Sequence, residues 1–253
     1  MQAFKNKLLN LAAGMVPEKV KNTIVSAKNN SMYPPEHGGL QQSFSQQGED
    51  LALARYFVGR GKGLYVDIGA YHPIKYSNTY LFWLRGWRGI NVEPNPDTFN
   101  EFTIRRPGDT NLNLAVGPAE EPLQYFRFNR DAINTFNVEH KEKWLNKPNT
   151  KLKDVLTIQQ VPLSQILDAH LAPGQPISFL DVDAEGNDLD VLMSNNWGRY
   201  RPEIVLAEHD FNFDLNTIQS PVTDFMKQQD YRIREICCGT IIFVDNLSAG
   251  KYL

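Results

Sequence analysis

The sequence predicts an α/β fold, a mostly parallel seven-stranded sheet wound by helices, with an antiparallel last strand. Three observations carry this. Leu64-Tyr65-Val66-Asp67-Ile68 and Gly89-Ile90-Asn91-Val92-Glu93 are short apolar runs closed by a carboxylate, as in parallel strands buried on both faces. Strand-like and helix-like patterns alternate along most of the chain, which implies crossover units on one sheet. The last two apolar runs, 231–236 and 240–244, flank Cys238-Gly239 as a hairpin, so the sheet ends antiparallel.

The elements follow in order. Residues 1–30 carry Phe4, Leu8, Leu11, Ala12 and Met15 at helical spacing, with Lys5, Lys7, Lys19, Lys21 and Lys28 making the segment basic. Such a helix fits an anionic membrane surface; it equally fits packing on the domain or on a second copy of the chain. Residues 29–43, with Pro34-Pro35 and Gly38-Gly39, read as a linker, so 1–43 form an amphipathic helical extension and 44–253 the main domain. There, 47–58 is a helix with an apolar face and 64–68 the first strand. Residues 77–85 form a helix capped by Ser77 or Asn78, and 89–93 the second strand. Pro96 sits in the first turn of a helix over 96–104. Strands follow at 111–116 and 123–128. The polar, lysine-rich stretch 129–160 suits a substrate-side insertion. Helix 162–171, strand 177–183, helix 188–196, strand 203–208 and helix 223–229 then lead to the hairpin. A closing hairpin is unlike the standard dinucleotide fold and matches the class I methyltransferase (Rossmann-like) fold, whose last strand is antiparallel.

Composition narrows the function classes. The chain has 253 residues, 42% hydrophobic and 22% charged, ordinary for a globular protein. A formal net charge of -3 gives no bulk case for nucleic acid. The two cysteines, Cys237 and Cys238, are adjacent, which suits neither a disulfide nor a zinc pair and is expected of a cytoplasmic protein. No run is long and apolar enough to span a bilayer.

A carboxylate at the tip of the second strand, Glu93, is placed to accept both hydroxyls of a ribose, which points to an adenosine-type cofactor. NAD is disfavoured, because the Gly-x-Gly-x-x-Gly turn is missing after the first strand. Asp181 and Asp183, two apart on a strand, project to one side, and Glu208 and His209 end the neighbouring strand. Such oxygen-rich ends suit Mg or Mn, or position acceptor hydroxyls without metal.

Seven blocks in order resemble the FkbM family of S-adenosylmethionine-dependent methyltransferases. They are Ser45-Gln46-Gln47-Gly48-Glu49-Asp50, 66–73 (Val-Asp-Ile-Gly-Ala-Tyr-His-Pro), Ser77-Asn78-Thr79, 86–94 ending Val92-Glu93-Pro94, Asn113-Leu114-Ala115-Val116-Gly117, 180–186 (Leu-Asp-Val-Asp-Ala-Glu-Gly) and 201–209 ending Glu208-His209. The cofactor turn departs from the usual one, since Ala70, Tyr71 and His72 follow Gly69. The resemblance implies that Asp67, Gly69 and Ala70 hold the amino-acid end of the cofactor, Glu93 and Pro94 its ribose, and Asn113 and Ala115 its adenine. Gln46, Glu49, Ser77, Thr79 and Asp181 complete that list, with helix capping the alternative for Glu49, Ser77 and Thr79. It implies O-methylation of a sugar, glycan precursor or glycosylated metabolite, as in polysaccharide biosynthesis. Other acceptors, protein or nucleic acid, and a noncatalytic binding module are the alternatives. Candidate catalytic groups are His72, His209 and Asp181, a histidine being the usual base near neutrality. Candidate metal ligands are Asp181, Asp183, Glu208 and His209. Asn134, Thr135 and Trp144 offer an amide, a hydroxyl and a ring to a small-molecule or glycan acceptor.

Overall fold

The computed structural model describes residues 41–209, 218–248 and 250, nearly all of them within the compact unit 43–253. The readings of residues 1–30 and of the linker up to residue 40 lie outside the described residues.

The strands β1 (Leu64–Ile68), β2 (Arg88–Val92), β3 (Thr110–Leu112), β7 (Phe179–Val182), β8 (Ile204–Glu208), β9 (Tyr231–Cys237) and β10 (Thr240–Asp245) form one sheet in the order β3-β2-β1-β7-β8-β10-β9. All neighbouring pairs from β3 to β8 are parallel, and β10 is antiparallel to both β8 and β9. The expected seven-stranded sheet with an antiparallel last strand is the one observed.

Burial on both faces explains the nearly continuous apolar runs. On one face Val66, Ile68, Val92, Leu180 and Val205 pack with residues of α5 (Leu163–His170), α6 (Asp188–Met193) and α7 (Pro221–Gln228). On the other face Tyr65, Phe179, Leu206 and Ile242 pack under α1 (Glu49–Tyr56) and α2 (Tyr80–Leu84), with Phe57 and Trp87 between. Asp67 and Asp181 belong by alternation to this second face, below the polar entry to α1 and α2. That entry is tied down by Asp50, which accepts from the Ser43 and Ser45 hydroxyls and from Phe44 N.

The structure differs from expectation between the third and fourth core strands. The apolar run 111–116 is two strands: β3 stays in the main sheet, and β4 (Ala115–Val116) leaves it. Asn113 makes the break, donating both amide hydrogens to the carbonyls of Glu93 and Pro94, each at 2.8 Å. With β5 (Glu121–Phe128) and β6 (Leu152–Val161), β4 builds a second sheet in the order β4-β6-β5. The lysine-rich insertion therefore ends in a ten-residue strand that composition concealed. Its inward positions include polar Asp154 and Gln160, which interrupt an apolar alternation. Asp154 receives two hydrogen bonds from Arg127 at 2.6 and 2.7 Å, and Gln160 donates to Ala119 O at 2.8 Å. The same guanidinium reaches Asp97 and Asn95 at the start of α3 (Pro96–Arg105), fastening the second sheet to the first.

Candidate active site

A cavity of about 620 Å³ opens at the carboxyl ends of β1, β2 and β7, walled on the far side by the second sheet and by residues 130–136. This is where ligands bind in open α/β sheets, and the size is that of a ligand cleft. Gln46, Asp67, Gly69, Ala70, Ser77, Glu93, Pro94, Ala115 and Asp181 all line it, as do Asp183, Glu208, Asn134, Thr135 and Trp144.

Gly69 fixes the floor. Its φ is 79°, and an added Cβ would stand 1.8 Å from the carbonyl oxygen of Asp183, so only glycine lets β1 leave its strand beside β7. Asp67, just before the turn, accepts a 2.7 Å hydrogen bond from the Thr79 hydroxyl at Oδ2. Its Oδ1 accepts none from the described residues. Burial raises its carboxyl above the ordinary range, while Thr79 and then Arg106 act to lower it. Its register partner on β7 is Asp181, which is likewise raised, first by burial and then by Asp67.

Glu93 follows β2. Its Oε2 accepts from Tyr71 N and its Oε1 from Asn95 N, each at 2.7 Å, so the second-strand tip and the first-strand turn are joined through one carboxyl. The Thr98 hydroxyl also acts on this carboxyl, which leaves acceptor capacity for a further donor. Burial pushes this group up to about 8 against those donors.

The β7–α6 loop supplies a second acidic group. Asp183, an exposed residue, and the half-buried Glu208 act on one another, and both carboxyls are raised, chiefly by loss of hydration and, for Glu208, then by Asp183. Glu185 is pushed up to about 8 by burial, then by Asp183 and Asp188. The insertion closes over this loop. The Thr135 hydroxyl donates to Glu185 O at 3.1 Å, and a Cβ at Gly186 would lie 2.6 Å from the His140 ring of α4 (Val138–Leu145). Trp144 stands in the wall with Arg130 and Lys147 over its ring, at 5.6 and 5.1 Å.

Five expected site residues do not line the cavity. His72 turns its Nδ1 to the backbone amides of Ile74 and Lys75, at 3.1 and 3.0 Å, and so holds its own turn. Burial, then Arg105, lowers its pKa. His209 follows β8 but is not among the lining residues; its backbone N donates to Gly239 O. Glu49 accepts from Gln47 N at 2.8 Å, an end-of-helix role. Thr79 lies behind Asp67, and Asn113 has both amide hydrogens engaged at the end of β2. For the metal expectation, no group of three or more His, Cys, Asp or Glu side chains among the described residues is arranged to hold an ion.

Sequence reasoning missed Arg106 and Tyr125. Arg106 is 0% exposed and shapes the first-strand loop from behind. Tyr125 lines the cavity, packs against Phe136 with tilted rings 4.6 Å apart between centroids, and is raised well above its ordinary pKa by burial. Neither lies in a recognisable block; a charged residue at the end of an amphipathic helix ordinarily faces water.

Among protein families, the one described as the methyltransferase FkbM domain matches residues 67–233. Among solved structures, methyltransferase FkbM from Methylobacillus flagellatus KT is similar with a TM-score of 0.41 and 15% identity, over 85% of this chain and 47% of that one. The chain thus spans about half the length of that relative. Precorrin-6y C5,15-methyltransferase from Geobacter metallireducens GS-15 is similar with a TM-score of 0.41 and 10% identity, over 81% of this chain and 92% of that one. No curated protein matches. The matched family span runs from Asp67 on β1 into β9, taking in the whole cavity floor, and the chain belongs to the FkbM methyltransferase family.

Proposed function

We propose that the protein is an S-adenosylmethionine-dependent O-methyltransferase acting on a hydroxyl of a sugar, glycan precursor or glycosylated metabolite. The observation that carries the reading is one cavity lined both by two acid-tipped strands and by an amide, a hydroxyl and an indole. When bound, the cofactor supplies a methyl group already activated on a sulfonium. The residues present fit it. Asp67 Oδ1 is open to an ammonium group, the Gly69 turn brings backbone close, and the remaining lone pairs of Glu93 suit ribose hydroxyls. Leu114, Ala115 and Val116 offer a small apolar face to a planar base.

On the acceptor side, Asn134, Thr135 and Trp144 hold a polyol. Asn134 is 5% exposed and accepts from Phe128 N at 2.7 Å, which fixes its amide plane. The hydroxyl's proton passes to the Asp183–Glu208 pair. Glu208, half-buried beside Asp183, is held above the ordinary carboxylate range, which brings the pair closer to the working pH of a general base. With both histidines off the cavity wall, this pair takes the place expected of an imidazole. Orientation of the hydroxyl against the activated methyl does the rest.

Calorimetry with S-adenosylhomocysteine, followed by transfer of radiolabelled methyl to glycan and metabolite extracts, tests this. Binding with label in a carbohydrate fraction is expected. Label in protein or nucleic acid, or binding with no transfer, would overturn the acceptor assignment.

A further inference from the structure

Behind the cavity floor lies a buried network that the reaction does not touch. Arg106 caps the carboxyl end of α3 with a side chain 0% exposed. Its Nε donates to Pro73 O at 2.6 Å, its Nη1 to the Tyr65 hydroxyl at 3.1 Å, and its Nη2 to Ser77 Oγ at 2.9 Å and Thr79 Oγ1 at 3.2 Å. The guanidinium lies over the rings of Tyr80, Phe102 and Trp83 at 5.1, 5.8 and 5.9 Å. Arg106 is not among the residues lining the cavity.

We propose that Arg106 is a positioning residue for the cofactor: through the Thr79 hydroxyl it orients the Asp67 carboxylate that receives the cofactor's amino group. This rests on the proposed S-adenosylmethionine site and extends it to a residue in no contact with the ligand.

The direction of the hydrogen bonds makes the case. A guanidinium has only donors. Ser77 Oγ accepts from Arg106 at 2.9 Å and from the Tyr80 amide at 3.1 Å, which occupies its two lone pairs, with the Thr79 amide sharing that side at 3.3 Å. Its own proton is thereby left for Thr79 Oγ1, 3.2 Å away. Thr79 Oγ1 accepts from Arg106 as well, so its single proton is sent to Asp67 Oδ2. Every hydroxyl between Arg106 and Asp67 is thus polarised one way, ending on a carboxylate that can only accept. Without Arg106 the chain can reverse, and a protonated Asp67 can donate to Thr79 instead. A carboxylic acid has no charge to offer an ammonium group.

The surroundings make that reversal favourable. Asp181, Asp183 and Glu93 act on Asp67 with like charge from β7, the loop after it and the tip of β2, as does Asp109 before β3, which is itself ion-paired with Arg106 at 3.7 Å. Arg106 is the cation acting on Asp67 from behind. A lysine offers a point charge without the fork that reaches Pro73, Tyr65, Ser77 and Thr79 together.

The test titrates S-adenosylhomocysteine into the full chain by calorimetry, for wild type, Arg106→Gln, Arg106→Lys, Thr79→Val and Thr79→Ser, with a thermal melt of each. Arg106→Gln and Thr79→Val are expected to raise Kd about tenfold or more, the loss of one charge-assisted contact. Thr79→Ser, which keeps the hydroxyl, should stay within about threefold of wild type, and Arg106→Lys should fall between. A merely structural role predicts instead that affinity follows melting temperature, with Thr79→Ser no better than Thr79→Val; that result overturns the proposal. So do unchanged affinities in folded Arg106→Gln and Thr79→Val. Should Arg106→Gln not fold, the Thr79 pair decides alone. No binding by wild type overturns the cofactor site itself, an outcome distinct from the other two.

Discussion

Asp67 and Asp181 are register partners on adjacent parallel strands, and both line one cavity. Two carboxyls so placed oppose each other's ionisation, and burial opposes both. A cationic ligand relieves that opposition, because it compensates charge the protein leaves in excess. Asp67→Asn keeps the shape and removes the charge. Its affinity for S-adenosylhomocysteine, measured by calorimetry, is expected to fall roughly tenfold or more. Unchanged affinity would remove Asp67 from the site.

Glu93 joins Tyr71 N and Asn95 N through its two oxygens. Glu93→Ala leaves both amides without that partner and removes the proposed ribose acceptor, so binding of S-adenosylhomocysteine is expected to be lost. Glu93→Gln keeps one acceptor oxygen and should weaken binding without abolishing it. Equal affinities for the two variants would contradict a role in hydrogen bonding.

At Gly69 both the backbone and the space are restrictive. A methyl group there meets the Asp183 carbonyl, and φ is 79°. Gly69→Ala is expected to destabilise the fold by about 3 kcal/mol or more, read as a lower denaturant midpoint. A midpoint close to that of wild type would show that the β1–β7 junction can open.

The sign of the pH dependence follows from Glu185. Its folded pKa is raised to about 8, from an ordinary value of 4.5. A carboxyl raised on folding contributes stability that is fully present below its unfolded pKa and lost as pH rises through its folded one. Melting temperature should therefore decline between about pH 5 and pH 8, and Glu185→Gln, neutral throughout, should flatten that decline. A melting temperature that rises over this window would reverse the assignment.

His72 gives a prediction of the opposite kind. Its ring holds two backbone amides of its own turn and lies off the cavity wall. His72→Ala is expected to cost about 1 kcal/mol of stability, as for loss of a local cap, with affinity for S-adenosylhomocysteine within about twofold of wild type. A thermal melt beside the titration separates the two effects.

The main sheet was legible because its strands are buried on both faces, which leaves continuous apolar runs, and because its final hairpin carries a compact turn. The carboxylates at the strand tips were legible for the same reason, since a charge closing an apolar run is conspicuous. The second sheet was concealed by polar residues on its inward positions. Asp154 and Gln160 look like solvent-facing side chains until Arg127 and the Ala119 carbonyl are placed against them. The break between β3 and β4 rests on one amide, Asn113, whose partners are twenty and nineteen positions away. His72 shows the limit of reading type from position. A histidine after a strand edge has the right chemistry, but the turn that comes after it draws its nitrogen inward.

The lining of the cavity bears on turnover as well as on binding. Among the described residues that form it stand Asp67, Glu93, Glu121, Asp131, Asp181, Asp183, Glu185, Asp190 and Glu208, against the lone cation Arg130. A methyl donor arrives carrying a sulfonium charge and departs as a neutral thioether. Carboxyls that ionise only when a cation compensates them favour the arriving species over the departing one. With S-adenosylmethionine as the proposed donor, the charge that helps admit it is absent from the product, which favours exchange of spent cofactor for fresh.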